Sequence, residues 1–180
     1  MIITIAGFPG SGKTTVARMV ADRLEYKHYS MGDLRGALAQ KHDMTIDELN
    51  EAGKKEDWPH RKIDEYLEEL GKTEDNFVVD TWIGFHLIPD SVKIMMKVDL
   101  EVAAKRIFAD RANRPDERYA SESKVADVLR NRIAATDAGF KRLYNVSFLD
   151  ESHYDLRLDT TNMAPEEVVE QIFGFLEKKS

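Results

Sequence analysis

The sequence predicts a three-layer α/β protein around a mostly parallel sheet. Short apolar runs of strand length alternate with longer segments whose apolar residues recur at helical spacing, the pattern of strands joined by crossover helices. A glycine-rich stretch, GFPGSGKTT at residues 7–15, falls between the first such run and the first helical segment. At 180 residues the chain can bury one sizeable core, and no linker, repeat or low-complexity segment divides it.

Each element follows from local pattern. Residues 1–6, MIITIA, form a strand because apolar side chains fill the run and Thr4 suits strand packing. After Gly12 the period changes, and Val16, Val20 and Leu24 predict a helix over 13–25. YKHYS at 26–30 is a short second strand. Ser30 and Asp33 have capping-box spacing ahead of LRGALAQ, and Thr45 with Glu48 repeats it before the next helix. TIDELNEAGKKEDWPHRKIDEYLEEL reads as two helices interrupted around 53–59, with Ile63, Tyr66, Leu67 and Leu70 as a packing stripe on a solvated surface.

FVVD at 77–80 is a buried strand, TWIGFHLIP a loop or short irregular element, and VKIMMKV at 92–98 another strand. A helix over 100–112 is broken by NRPDERY, and a longer one resumes near Ser123 and runs to Tyr144. Residues 154–158 are the last strand. The closing helix spans 163–175, with Pro165 near its start and Val169, Ile172, Phe173 and Leu176 facing inward.

Composition narrows the function. The chain is 42% hydrophobic and 33% charged, with a formal net charge of -7, which disfavours non-specific nucleic-acid or membrane binding but leaves room for a local basic site. Without cysteine it has no disulfide, thiolate nucleophile or cysteine metal ligand, and it fits a reducing compartment. MIITIAGF enters the glycine loop too soon to span a bilayer and has no basic leader region, so a cytoplasmic location is expected. His28, His42, His60, His86 and His153 lack zinc-ligand spacing.

The segment Gly7-Phe8-Pro9-Gly10-Ser11-Gly12-Lys13-Thr14 is a full GxxxxGK(S/T) match between a strand and a helix, the context that predicts a P-loop NTPase fold. Gly10 and Gly12 can expose backbone amides where Cβ atoms would obstruct phosphates. Lys13 suits the β- and γ-phosphates, Thr14 the Mg²⁺ ion, and Thr15 further phosphate contact. Asp80, closing FVVD, is placed to hold Mg²⁺ through a water. Capping TWIGF or orienting an arginine is its alternative role. Asp33 suits coordination or water positioning as well as the capping box.

Seven of the 12 arginines lie between Arg106 and Arg142. Guanidinium groups suit phosphates, and several can bracket a donor and an acceptor together. RIFADRANRPDERYASESKV, with Arg106, Arg111, Arg114 and Arg118, joins two helices and reads as a lid whose closure would exclude water. The next helix carries Arg130, Arg132, Lys141 and Arg142, and Arg35 adds a candidate acceptor-phosphate contact. Taken singly, each arginine also reads as a solvated helix residue or a partner of nearby acids. A phosphate-monoester acceptor, with its second pKa at about 6, supplies its own ionised oxygen and needs no side-chain base. A sugar or alcohol acceptor would instead give Asp33 or Asp64 an acid–base role.

In chain order, GFPGSGKTT, YSMGDLRGAL, FVVD, RIFADRANRPDE, NRIAATDAGFKRLYN and DLRLDTTNMAPEEVVEQI resemble the nucleoside monophosphate kinases, especially archaeal-type cytidylate kinases. Only NEAGKKEDWPHRKIDEYLEEL aligns loosely. The resemblance implies one P-loop kinase domain over 1–180 with a five-stranded parallel core, an acceptor-binding arm at about 30–70 and a lid at about 110–124. It implies ATP contacts from Gly7, Phe8, Pro9, Gly10, Ser11, Gly12, Lys13, Thr14 and Thr15, with Thr160, Thr161 and Asn162 near the donor nucleoside. Ser30, Gly32, Asp33 and Arg35 match the entrance to the acceptor arm, and Asp64, Asp80 and Trp82 complete the acceptor-side candidates. Lys13, Arg111, Arg114, Arg132 and Arg142 are the catalytic candidates, with Thr14 and Asp80 for Mg²⁺.

One departure follows Asp80. Such kinases commonly carry an acidic-Gly-Arg arrangement there, whereas this chain reads Asp80-Thr81-Trp82. That weakens the choice of CMP more than the choice of a kinase. Trp82 stacks on an acceptor base or closes the core, and Phe85 is expected in the core. The expected reaction is transfer from ATP to a nucleoside monophosphate, CMP or dCMP first and AMP as the alternative. A P-loop ATPase or nucleotide-controlled interaction protein is the reading from another class. No stable nucleic-acid or membrane partner is expected, and oligomeric state is left open.

Overall fold

Five strands, β1 (Ile2–Gly7), β2 (Lys27–Ser30), β3 (Phe77–Asp80), β4 (Val92–Lys97) and β5 (Leu156–Asp159), form one all-parallel sheet in the order β2-β3-β1-β4-β5. The computed structural model describes residues 1–110 and 121–179. Its helices are α1 (Lys13–Leu24), α2 (Met31–Lys41), α3 (Ile46–Lys55), α4 (Trp58–Thr73), α5 (Gly84–Leu87), α6 (Leu100–Ala109), α7 (Glu122–Tyr144) and α8 (Pro165–Lys179). With β1 central, the sheet grows to both sides of it, the arrangement that opens a ligand crevice beyond the strand C-termini.

The sheet is covered on both faces, so its strands read as nearly continuous apolar runs. Alternation still sorts the side chains. Ile3 and Ile5 of β1 and Ile94 and Met96 of β4 pack with Val16 and Val20 of α1 and with Val169 and Ile172 of α8. Ala6 and Met95 point the other way, toward Leu67 and Leu70 of α4 and the buried Phe148. A third cluster joins Ala103, Ala104 and Ile107 of α6 to Val125, Ala126 and Leu129 of α7.

Several boundaries differ from expectation. TWIGFHLIP contains a helical turn, α5. α3 runs through Gly53 to Lys55, and Pro59 sits in the first turn of α4, so the interruption is confined to 56–57. The last strand starts at Leu156 and not at Tyr154. The Tyr154 hydroxyl donates to the Phe148 carbonyl at 2.9 Å, and the Asp155 carboxylate accepts from Lys93 N at 2.8 Å, which fixes both residues ahead of the ladder. α8 begins at Pro165 and continues past Phe175 to Lys179. α6 ends at Ala109 with Asp110 as its C-cap. The expected extension to residue 112 and the lid residues Arg111, Arg114 and Arg118 lie outside the described residues.

Candidate active site

β1 leads into α1 through the glycine loop. Gly10 and Gly12 adopt left-handed conformations, φ 80° and 84°, which a residue without Cβ tolerates best. A Cβ on Gly10 would also lie 2.9 Å from Ala103 Cα, so α6 presses directly on the loop. Gly12 is the N-cap of α1. It supplies no side-chain cap, and the first turn has no acidic residue, so the helix-start amides are left for an anion. By contrast, Ser30, Thr45, Asp99 and Ser121 cap α2, α3, α6 and α7 with their side chains.

The loop is braced from outside. Phe8 N donates to the Met96 carbonyl at 3.1 Å, and Thr160 Oγ1 donates to the Ser11 carbonyl at 3.0 Å. Arg106 donates to the carbonyls of Gly10 at 3.4 Å, Thr160 at 2.9 Å and Thr161 at 3.2 Å. It is a strut from α6 to both the loop and the chain after β5. Thr161 Oγ1 accepts from Asp99 N at 2.9 Å and donates to Asp159, tying that same segment to the start of α6. Asn162 is exposed in the following turn.

Two cavities border this loop, and a third adjoins them. One of about 350 Å³ is walled by Phe8, Pro9, Gly10, Gly12, Lys13, Thr14 and Thr15 together with Arg106. A second, of about 940 Å³, is shared by Lys13, Thr14, Ser30, Gly32, Arg35, Asp80, Trp82 and Arg132. A third, of about 690 Å³, includes Arg35, Asp57, Asp64, Trp82, Arg132 and Arg142 in its wall. Trp82 and Arg132 line all three, and Arg35 lines the second and third.

Charge in these cavities is balanced by burial. Burial lowers the Arg35 guanidinium pKa, Asp64 opposes that shift, and the nearby Arg132 adds to it. Burial likewise raises the Asp64 carboxyl, against the Tyr144 hydroxyl, which donates to it at 2.5 Å. An anion bound beside Arg35 would favour its charged form. Asp80 is only 2% exposed; its Oδ1 accepts a long bond from Met31 N at 3.4 Å, and its Oδ2 has no hydrogen-bond partner among the described residues.

Other candidates are placed differently. Arg142 pairs with Asp57 and lines only the third cavity, away from Lys13. The Asp33 carboxylate accepts from Ser30 Oγ at 2.7 Å and Ser30 N at 3.3 Å, which commits it to the cap. The Trp82 ring meets Phe148 edge-on at 4.8 Å, while Lys13 Nζ lies 5.7 Å from its centroid. Phe85 is buried and stacks on His153 at 4.3 Å, the core position expected for it.

A family profile described as an AAA domain matches residues 6–130. A cytidylate kinase of Haloarcula marismortui is 33% identical over 171 residues, covering 94% of this chain and 85% of that protein. The chain belongs to the nucleoside monophosphate kinase family. The kinase is also similar, at 31% identity over 99% of its length, to an S-adenosylmethionine-dependent nucleotide dehydratase of Lacinutrix mariniflava, of which it spans 36%. Its fold is shared with shikimate kinase from Bacteroides thetaiotaomicron, at a TM-score of 0.68 and 16% identity over 98% of both chains. The five-stranded parallel core that the resemblance implies is the one observed.

The residues present fit a magnesium ion. Asp80, whose buried Oδ2 has no hydrogen-bond partner among the described residues, lines the same cavity as Thr14. Magnesium is commonly held by one or two protein oxygens plus substrate phosphates. No cluster of three or more His, Cys, Asp or Glu suited to a metal occurs among the described residues, and such a site needs none. Sequence reasoning placed Arg106 in the arginine-rich stretch but missed its strut role. Its acceptors are carbonyls 54 to 96 residues away, which no local pattern announces.

Proposed function

We propose that the kinase transfers the γ-phosphoryl group of ATP to a nucleoside monophosphate, with CMP or dCMP as the acceptor. The observation that carries this reading is Arg132, which lines the cavity of the glycine loop, the neighbouring acceptor cavity and the space between them. A pure hydrolase has no use for a second anion site of that size beside the first.

In this reading the loop amides at the start of α1 hold the donor phosphates, and Lys13 adds a point charge at the γ-phosphoryl group. Arg35 and Arg132 hold the acceptor phosphate in the adjoining cavity. An acceptor phosphate oxygen, already ionised near neutral pH, bonds to the γ-phosphorus as the bond to the bridging oxygen breaks, releasing ADP and a nucleoside diphosphate. Bound through Thr14 and Asp80, magnesium would neutralise charge on the donor oxygens. The braced loop and the Trp82 wall position the partners and limit water entry. The cytidylate acceptor is supported by similarity to relatives named cytidylate kinase.

The test is an ADP-production assay with ATP, Mg²⁺ and a panel of CMP, dCMP, AMP, GMP and UMP. ADP release that depends on CMP and is matched by CDP is the expected result. Equal release without any acceptor would make the protein an ATPase and overturn the proposal.

A further inference from the structure

We propose that His28 is a positioning residue for the Asp80 carboxylate, orienting it toward the cation that accompanies the nucleotide. β2 runs beside β3 with His28 opposite Val78 and Ser30 opposite Asp80. His28 and Asp80 are therefore diagonal neighbours on one face of the sheet. His28 Nε2 lies 3.7 Å from Asp80 Oδ2, with the side chains 12% and 3% exposed. Both atoms are buried, and neither has a hydrogen-bond partner among the described residues.

Two facing orphans are uncommon in a folded interior, because each loses hydration without a return bond. Among the described residues, the remaining carboxylate oxygen has only the long contact from Met31 N at 3.4 Å. His28 is therefore the side chain placed to fix this carboxylate. The separation exceeds a direct hydrogen bond but suits a small rotation or one bridging water. On its other side Asp80 borders the cavity of Lys13, Thr14 and Arg132. A donor behind a cation-binding carboxylate sets its orientation, and losing such a donor typically costs ten- to a hundred-fold in metal affinity or activity, an order-of-magnitude range of about 10–100.

This role rests on the phosphotransfer reading only in placing Asp80 beside the nucleotide's cation. The test is Mn²⁺ binding to the ADP complex, read from free Mn²⁺ by electron paramagnetic resonance without acceptor or turnover. His28→Leu should weaken Mn²⁺ binding by about tenfold. His28→Gln, which keeps an N–H donor, should recover most of that loss, and ADP affinity in chelator should match wild type for both. Equal Mn²⁺ affinity in wild type and His28→Leu overturns the proposal, as does a loss that glutamine does not recover. Should the leucine variant fail to fold, His28→Asn, whose donor stops short of Oδ2, replaces it under the same criterion. Weakened Mn²⁺ binding without any monophosphate-dependent turnover would sink the proposed reaction and leave this role standing. Unchanged Mn²⁺ binding with normal turnover would do the reverse.

Discussion

Arg142 grips Asp57 through two parallel hydrogen bonds, Nη1 to Oδ2 at 3.0 Å and Nη2 to Oδ1 at 2.9 Å, joining the last turn of α7 to the N-cap residue of α4. Those bonds hold the Asp57 carboxyl below its ordinary range and push the Arg142 guanidinium up. The pair is exposed, so it contributes little to stability, yet it frames the third cavity, where the acceptor is proposed to bind. Arg142→Ala is expected to leave the melting temperature nearly unchanged and to raise the acceptor KM several-fold at constant ATP KM. Arg142→Lys should not restore it, because an ammonium cannot form the fork. Initial rates with CMP varied at fixed ATP are the check.

Gly10 and Gly12 separate two kinds of cost. Alanine at either position must hold a left-handed φ, at roughly 1–2 kcal/mol. At Gly10 the added Cβ also meets the Ala103 backbone at 2.9 Å, whereas at Gly12 it meets nothing within 4 Å. Gly10→Ala should therefore lower the melting temperature more than Gly12→Ala, by several degrees. Calorimetry of both variants without nucleotide measures the difference.

Arg106 braces the glycine loop and the segment after β5, on the side proposed for the donor. Arg106→Leu removes hydrogen bonds to three carbonyls at once and should raise the ATP KM by roughly tenfold, the equivalent of about 1.4 kcal/mol. The acceptor KM should change much less. Two-substrate kinetics distinguishes this from a general loss of structure.

Asp64 gives a pH signature. Burial raises its carboxyl above the ordinary 3.8, so between that value and the raised one the folded state binds more protons than the unfolded chain. Its contribution to stability therefore falls as pH rises through that window, and the cost of the buried charge is fully present above it. Asp64→Asn keeps an acceptor for the Tyr144 hydroxyl and should stabilise the fold at pH 7. That advantage should shrink as pH is lowered toward about 4. Melting curves of both proteins across this range provide the measurement.

The parts of the site written within one turn of chain were legible in advance. The glycine loop, both capping boxes and the strand ending in Asp80 depend on residues a few positions apart, and the sequence displays those spacings directly. Long-range partners were not legible. Arg142 reads as a phosphate ligand until Asp57, 85 residues earlier, is found in its fork. The start of β5 is shifted by what Tyr154 and Asp155 touch in space. The aromatic contacts of Phe148 with Phe8, Trp82 and Phe140 join segments with no shared period, so Trp82 had no determinable setting until the chain was folded.

The bare start of α1 has a consequence beyond catalysis. With Gly12 offering no side-chain cap and the first turn no carboxylate, the helix remains unfinished until an anion docks, and the ligand becomes a structural part. Inorganic tripolyphosphate, lacking base and sugar, should then raise the melting temperature, with a rise that continues logarithmically once its concentration exceeds Kd, as a thermal-shift titration would read. Energy supply would thereby govern how long each molecule survives as well as how fast it turns over.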